Sequence, residues 1–381
     1  MRSICIANIA RTFVFSAVLA CAGTASAGTF VYVSNADDGD IGVYALNPDG
    51  ALQPGARVKA GNLVMPMAAS PDKRFLYAAV RSKPYAVLTY AIDRNTGALK
   101  QLSGGTLAES YPYISADRSG RFLLGASYGG HQVGLNSIGK DGKISDPLQV
   151  VPTARNAHSI ITDRSNRYVF VPHLGTDQIF QFKLDAKAGK LVSNTPAVVQ
   201  MKAGTGPRHI IVSADNKFVY LLNELTATVV TLALDSKTGL LTEKSSASAL
   251  PADTKLVPGA PRGPIAPGVT PRDVATDIWA SDLHLTPDGK FLYAAERTSS
   301  SLGAFSVDGA TGKLTYLGST PVEKQPRGFA IEPKGKYLVV SGEKSDTISV
   351  LSIDAASGAL TFLQKYPTGK GSNWVEIVGF D

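Results

Sequence analysis

The chain has 381 residues, of which 44% are hydrophobic and 18% are charged, and it contains 37 Gly and 22 Pro. This balance is typical of a turn-rich all-β protein and argues against a disordered or a helical chain. The formal net charge is +7, but Lys and Arg do not cluster in the sequence as they do in nucleic-acid-binding proteins. We therefore expect no nucleic-acid partner.

Residues 1–27 are predicted to form a secretory signal peptide. Arg2 precedes a mostly apolar run from Ile4 to Ala22, and the small residues Ala25, Ser26 and Ala27 provide a cleavage site. We expect a mature chain that begins near Gly28 and is periplasmic or secreted.

Two alternatives for the leader are less favoured. The uninterrupted apolar stretch from Thr12 to Ala22 is shorter than the roughly 20 residues that span a bilayer, so we expect no stable membrane insertion after cleavage. A lipoprotein processed at Cys21 is disfavoured because Leu19 stands where a smaller residue is usual.

Cys5 and Cys21 are the two cysteines of the chain, so the mature protein would have no disulfide and no thiol nucleophile.

The rest of the chain is built from one repeated pattern. A turn of Asp, Pro, Gly or Asn is followed by a basic residue, an aromatic residue and an apolar strand, then by an alternating strand, a glycine turn and a short strand. The aromatic residues, called anchors here, are separated by 46 to 50 residues apart from one gap of 73. That spacing matches a four-stranded propeller blade of about 40 to 50 residues. The anchors are Phe75, Phe122, Tyr168, Phe218, Phe291 and Tyr337.

The two ends of the chain predict how the repeat closes. The first copy, from Thr29, lacks its first strand, and the last segment, 372–380, is a lone strand. Together they complete one blade, which removes open sheet edges. We therefore predict an all-β fold in which residues 28–381 form one seven-bladed β-propeller of four-stranded antiparallel blades, closed by pairing of the N- and C-terminal strands.

The long gap between anchors marks an insertion at residues 248–278. This segment is rich in Pro and Gly, and no regular element is expected in it. A loop longer than usual in a compact domain either forms part of a functional site at the rim or is a mobile segment, and the sequence favours neither alternative.

Strand direction predicts where a site would lie. In each blade, the residues before the first strand and those after the second strand emerge on the same face, around the mouth of the central channel, where propellers bind ligands. The polar residues at these positions include His158, Arg208, His209, His284 and Arg327 before first strands, and Glu224 and Arg297 after second strands.

Several of these residues stand in motifs. "GPRHI" is followed, sixteen positions after its Arg, by the Glu of "NE"; "AHS" lies upstream, and "ERT" and "QPRGF" lie downstream. In these motifs the chain resembles the seven-bladed propeller lactonase family, typified by bacterial 6-phosphogluconolactonase and the fungal carboxy-muconate cyclising enzyme. The resemblance extends from Thr29 to Phe380.

The resemblance implies a site and an activity. It implies that Glu224, His158, Arg208 and Arg297 are catalytic, and that the chain hydrolyses a sugar (aldono) lactone. Arg327, His209 and His284 are candidates for substrate binding, although for the two histidines a packing role beside the first strands is the stronger alternative. The expected partner is a small anionic or polyhydroxylated lactone.

Lactone hydrolysis needs a base for water, donors for the oxyanion and a proton for the leaving oxygen. Glu224 or His158 could be the base and then the acid, while Arg208 and Arg297 could hold a substrate anion or the oxyanion. No ligand spacing indicates a metal, and no phosphate loop or nucleophile elbow is present, so we expect no metal and no cofactor.

Three alternatives remain at this point. Glu224 could simply form structural ion pairs with Arg208 or Arg297. The enzyme could be a muconate-type lactonising cycloisomerase, or the propeller could be a non-catalytic periplasmic binding or scaffold protein. The sequence leaves open which lactone is the substrate, and whether it is phosphorylated.

Overall fold

A computed structural model describes residues 28–263 and 272–380. The predicted signal peptide, residues 1–27, lies outside this part of the chain. The described residues contain β-strands and turns only, and no helix long and apolar enough to cross a membrane occurs among them. The all-β prediction is therefore confirmed.

The strands follow one another at nearly constant spacing. They are β1 (Thr29–Asn35), β2 (Asp40–Leu46), β3 (Leu52–Lys59); β4 (Val64–Ala69), β5 (Phe75–Val80), β6 (Ala86–Ile92), β7 (Leu99–Thr106); β8 (Tyr113–Ala116), β9 (Phe122–Ser127), β10 (Gln132–Ile138), β11 (Ile144–Pro152); β12 (Ile161–Thr162), β13 (Tyr168–His173), β14 (Gln178–Asp185), β15 (Lys190–Gln200); β16 (Pro207–Val212), β17 (Phe218–Asn223), β18 (Thr228–Leu234), β19 (Leu241–Ser248); β20 (Ala280–Leu285), β21 (Phe291–Glu296), β22 (Ser301–Val307), β23 (Leu314–Pro321); β24 (Pro326–Ile331), β25 (Tyr337–Gly342), β26 (Thr347–Ile353), β27 (Leu360–Pro367); and β28 (Ser372–Gly379).

These strands form seven antiparallel four-stranded sheets, the blades of a propeller. Six blades are consecutive, from β4-β5-β6-β7 to β24-β25-β26-β27. The remaining sheet has the order β28-β1-β2-β3, with Phe30 opposite Val378 and Val33 opposite Val375. The C-terminal strand thus supplies the innermost strand of the first blade. The predictions of seven blades and of closure by the two ends are confirmed.

The innermost strands, β4, β8, β12, β16, β20, β24 and β28, line the central channel. Each runs in the same direction along the channel because each blade repeats the same topology. We call the face where the chain enters these strands the upper face, and the opposite one the lower face. The second strand of each blade runs back and ends at the upper face, so the two groups of residues selected from the sequence meet there.

The hydrophobic core lies between blades. Each of the seven core clusters joins two neighbouring sheets; in one of them Phe218 and Leu222 of one blade contact Ala294 and Phe305 of the next. A sheet with both faces buried in this way explains the apolar second strands, such as β17 and β21, in which every residue is buried.

One repeated contact fits the blades together. The turn between the third and fourth strands of each blade carries a glycine that lies against the anchor of the preceding blade. Gly239 has a φ of 73°, and a Cβ added there would collide with the Tyr168 ring. Any residue but glycine is therefore both strained and obstructed. Phe30 takes the place of the anchor in the first blade, and the full set is Gly50–Tyr337, Gly97–Phe30, Gly142–Phe75, Gly189–Phe122, Gly239–Tyr168, Gly312–Phe218 and Gly358–Phe291.

The insertion joins β19 to β20. Its described parts contain no strand, and one isolated bridge pairs Val257 with Asp277. Gly259 N donates a hydrogen bond to Leu225 O, which attaches the segment to the upper face.

The closure generates a prediction about stability. Truncation after Lys370 removes β28 and with it the buried side chains Val375 and Val378. Because this exposes both the β1 edge and the channel wall, we expect the whole propeller to lose more than about 3 kcal/mol of unfolding free energy in one cooperative transition, measured by urea denaturation. Phe362→Ser, at a half-exposed position in β27, is the control, with an expected change below about 1 kcal/mol. An unchanged urea midpoint in the truncated chain would contradict terminal closure.

Candidate active site at the upper face of the channel

A buried charge cluster lies at the upper face. Glu224 Oε2 accepts hydrogen bonds from Arg208 Nε at 2.6 Å and from Arg297 Nη2 at 3.1 Å. Arg208 is the second residue of β16 and Glu224 directly follows β17, so antiparallel pairing within one blade brings them together. Arg297 follows β21 of the next blade. Both guanidinium contacts use Oε2, and among the described residues nothing donates to Oε1.

Arg297 is held on several sides. Its Nε donates to Trp279 O at 3.0 Å and its Nη2 to Ala280 O at 3.1 Å. Burial lowers the pKa of Arg297 to about 9, against the effect of the Glu224 carboxylate, and the guanidinium still remains protonated at neutral pH. Arg297 is therefore a fixed positive charge.

The insertion reaches this cluster. The guanidinium carbons of Arg262 and Arg297 each lie 3.6 Å from the centre of the Trp279 ring, which requires that they occupy opposite faces of it. Tyr128 Oη, on another blade, donates to Arg262 O at 2.9 Å. The described end of the insertion, up to residue 263, thus forms part of the wall around the charge cluster.

His158 is a neutral imidazole next to the cluster. It is 5% exposed, and its ring lies 5.1 Å from that of His209 and 5.9 Å from that of Tyr128. Burial lowers the pKa of His158 well below 6.5, and the charge of Arg208 lowers it further. Its Nδ1 is buried and has no hydrogen-bond partner among the described residues. A buried polar atom without a partner is unusual in proteins and is expected where a substrate or a water binds.

Further positive charge lies beside His158. Arg327 is 7% exposed, and its Nε lies 3.4 Å from Glu343 Oε1. Arg81 donates from Nε to Ser110 Oγ and from Nη1 to Met65 Sδ, and neither acceptor carries a charge. Burial lowers the pKa of Arg81 to about 10, and the nearby charge of Arg327 also lowers it. Three buried guanidinium groups, those of Arg208, Arg327 and Arg297, thus act on His158, and Glu224 is the buried carboxylate that pairs with two of them.

An aromatic plug closes the channel below these residues. It is formed by the rings of Tyr113, His158, His209 and Trp374, with Tyr113 placed 5.1 Å from His209 and 5.4 Å from Trp374. On its other side, a cavity of about 430 Å³ opens to the lower face. Apolar residues of the innermost strands form its walls, and Asp282, His284 and Glu376 contribute polar groups.

The structure brings together most of the residues selected from the sequence. Glu224, Arg208, Arg297 and His158 lie in one cluster at the upper face, and Arg327 and His209 are next to it. It does not bring His284 to them: this side chain is 34% exposed and lines the cavity on the lower side of the plug.

Three further residues of this region stand at channel-mouth positions in the sequence but were assigned no functional role from it. Arg81 and Tyr128 occupy predicted channel-mouth positions, after the second strands β5 and β9. Their position was therefore a usable signal. Asp282, which is bonded to His209, had no motif to mark it.

The chemical capacity of the cluster follows from these groups. It offers a neutral imidazole, a carboxylate with one oxygen unoccupied and several guanidinium groups in a site shielded from water. Within residues 28–263 and 272–380, no three or more His, Cys, Asp or Glu side chains are arranged to hold a metal ion.

Comparison with known proteins points to one family. The family model described as lactonase, seven-bladed β-propeller, matches residues 24–377. The 6-phosphogluconolactonase of Serratia proteamaculans is 37% identical over 91% of this chain and 98% of its own length, and that of Pectobacterium carotovorum is 36% identical over 92% and 99%. The solved structure of the periplasmic gluconolactonase of Pseudomonas aeruginosa matches with a TM-score of 0.80 and 27% identity, over 92% of this chain and 99% of that one.

The charge cluster generates a prediction. Glu224→Gln leaves Arg208 and Arg297 buried without their countercharge, so we expect a loss of about 3 kcal/mol in the unfolding free energy, measured by urea denaturation. Glu343→Gln is the matched control, because the Glu343 side chain is 24% exposed and its ion pair within 4 Å, among the described residues, is the 3.4 Å contact with Arg327; its expected loss is below about 1 kcal/mol. Equal losses in the two variants would show that the Glu224 cluster is not a special electrostatic centre.

Proposed function

Because this chain belongs to the seven-bladed β-propeller lactonase family and is a lactone-hydrolysing enzyme, we propose that its substrate is a negatively charged sugar lactone of the 6-phosphogluconolactone type. The observation that carries this proposal is the excess of buried guanidinium groups around His158. Guanidinium groups bind carboxylate and phosphate oxygens through paired hydrogen bonds, so an excess of them favours an anionic substrate.

Arg327 is the guanidinium to which we assign the anionic group of the substrate. Its Nε–Glu343 contact is long at 3.4 Å, so it is less engaged than Arg208 and Arg297, which hold Glu224. Among phosphorylated and unphosphorylated aldonolactones, we expect the phosphorylated compound to have the higher kcat/KM. Arg327→Gln should raise KM for the phosphorylated lactone about 10-fold or more, with little effect on the unphosphorylated one. Equal kcat/KM values for both compounds would remove the anionic group from the proposal.

In the mechanism that we propose, His158 is the general base. A water oxygen attacks the lactone carbonyl carbon while the neutral imidazole of His158 accepts the proton of that water. The carbonyl electron pair moves to the oxygen, where Arg208 or Arg297 stabilises the negative charge. When the tetrahedral intermediate collapses, the bond to the ring oxygen breaks and His158 returns the proton to that oxygen. Glu224 Oε1 orients the water.

The state of His158 supports this assignment. Its lowered pKa keeps the imidazole neutral, and therefore able to accept a proton, at neutral pH and below. The carboxylate of Glu224 also compensates the imidazolium charge that forms during the reaction, which the neighbouring guanidinium groups alone would disfavour.

His158→Gln tests the base. The amide cannot accept the proton, so kcat on the best lactone should fall by about 10²- to 10⁴-fold. His131→Gln, at an exposed histidine, is the control and should keep kcat. In the unchanged enzyme, the base form persists as pH falls, so the acidic decline of kcat should be centred below pH 6.5. A decline centred at 6.5 or above, or full turnover in His158→Gln, would contradict this role.

We also propose that the chain is exported and cleaved near Ala27. The support comes from Arg2, the apolar run from Ile4 and the small residues before Gly28. Mass spectrometry of the protein recovered from the periplasm of a bacterial host should find Gly28 at or near the N-terminus. A lipid-modified Cys21 at the N-terminus, or an intact leader in the cytoplasm, would refute this proposal.

A further inference from the structure

A chain of hydrogen bonds leads away from the charge cluster through the aromatic plug. Arg208, whose Nε bonds Glu224 Oε2 at 2.6 Å, places Nη1 3.0 Å from His209 Nε2. On the other side of the same imidazole, His209 Nδ1 lies 2.8 Å from Asp282 Oδ1. All four residues are at most 7% exposed. The chain therefore joins two blades through largely buried groups, and its last member, Asp282, faces the cavity below the plug.

Only one arrangement of protons satisfies every contact. A guanidinium has donors and no acceptor, so His209 Nε2 must accept from Arg208 Nη1. An ionised carboxylate has acceptors and no donor, so His209 Nδ1 must donate to Asp282 Oδ1. His209 is therefore a neutral imidazole with its proton on Nδ1. Burial and then the Arg208 charge lower the pKa of His209 to about 3, in agreement with this state.

Asp282 is itself held firmly. Leu283 N donates to Oδ1 at 3.0 Å, Phe329 N lies 3.4 Å from Oδ2, and His284 Nε2 lies 3.2 Å from Oδ2. Burial would raise the pKa of Asp282, but the His284 charge and the bonds from both histidines lower it well below its usual value. The carboxylate thus remains ionised and is oriented by the backbones of two blades.

We propose that Asp282 and His209 are positioning residues of the lactonase reaction. Asp282 selects the tautomer of His209, and His209 Nε2 then fixes the plane of the Arg208 guanidinium, which in turn fixes the orientation of Glu224. This inference rests on the proposed function of the upper-face cluster. Neither residue touches the substrate; each acts through Arg208.

The consequence for the reaction lies in the geometry of Arg208. A guanidinium held at Nε alone can swing about the Cδ–Nε bond, whereas one held at both Nε and Nη1 has a fixed plane. Because both cations of the cluster bind the same oxygen of Glu224, a swing of Arg208 also turns Oε1. A misplacement of about 1 Å in an active site can reduce turnover about 100-fold.

The tautomer can be observed without any turnover. The chain has five histidines, and ¹⁵N imidazole spectra of the histidine-labelled protein distinguish a protonated Nδ1 from a protonated Nε2. We expect one histidine, identified by its loss in His209→Gln, to remain neutral with Nδ1 protonated from pH 5 to pH 9. A His209 that is protonated at Nε2, or that titrates in this range, would overturn the proposal even if lactone hydrolysis is established.

Two variants of Asp282 test the effect on turnover. In Asp282→Asn, Leu283 N selects the amide oxygen for the Oδ1 position, so His209 keeps its tautomer and kcat should stay within about 5-fold of the unchanged enzyme. Asp282→Ala removes the acceptor, and kcat should fall about 10- to 100-fold with KM nearly unchanged. Glu376→Gln, in the same lower cavity but not bonded to His209, is the control and should keep kcat.

Two variants of His209 separate positioning from a general loss of packing. A Gln oxygen can reach the place of Nε2 and accept from Arg208, whereas an Asn side chain reaches only the place of Nδ1 and bonds Asp282. We expect His209→Gln to retain a kcat at least about 5-fold higher than His209→Asn. Equal kcat values, or a better Asn variant, would overturn the proposal. If the unchanged protein hydrolyses no lactone, the proposed function fails instead.

Discussion

The propeller depends on one repeated contact. In each blade, a turn glycine packs against the aromatic anchor of the preceding blade. This contact occurs in all seven blades, including the one completed by β28, and the glycine has a positive φ in each of them. Each blade is therefore placed by its neighbour. Pairing within one sheet brings Arg208 to Glu224, but Arg297 comes from the next blade, so its 3.1 Å contact with Glu224 depends on this repeated fit.

At the upper face, the packing of neighbouring blades brings together buried charged side chains. Each of them would destabilise the fold if it were buried without a partner. Glu224 makes the burial of Arg208 and Arg297 tolerable, because a buried guanidinium needs an acceptor and a countercharge. The same carboxylate leaves Oε1 open, while Arg327 adds positive charge near His158, and Arg81 lies near Arg327. In the proposed mechanism, the structural ion pairs of Glu224 and the reactive site are one arrangement.

The fold could be predicted because its determinants are local: the anchors, turn glycines and strand alternation recur at fixed spacing, and the missing first strand of the first copy requires a partner such as β28. Strand direction also predicted the upper face as the meeting place of Glu224 and Arg208.

The bond from His209 to Asp282 could not be predicted, because the residues are 73 positions apart and their contact depends on how two blades are rotated. Nor could sequence show that His284 lies below the aromatic plug, since depth in the channel depends on neighbouring rings. The insertion has no periodicity, so its contact with Trp279 was also beyond prediction. The signal peptide stays a prediction.

The ring closure has a practical consequence for handling the protein. Thr29 is paired with Gly379, so both ends of the described propeller leave at the lower rim, whereas His158 and Glu224 lie at the upper face. An affinity tag, a fused second enzyme or a solid support joined at either end would therefore sit on the far side of the protein. Immobilisation through such a tether would leave the upper face open to diffusing molecules.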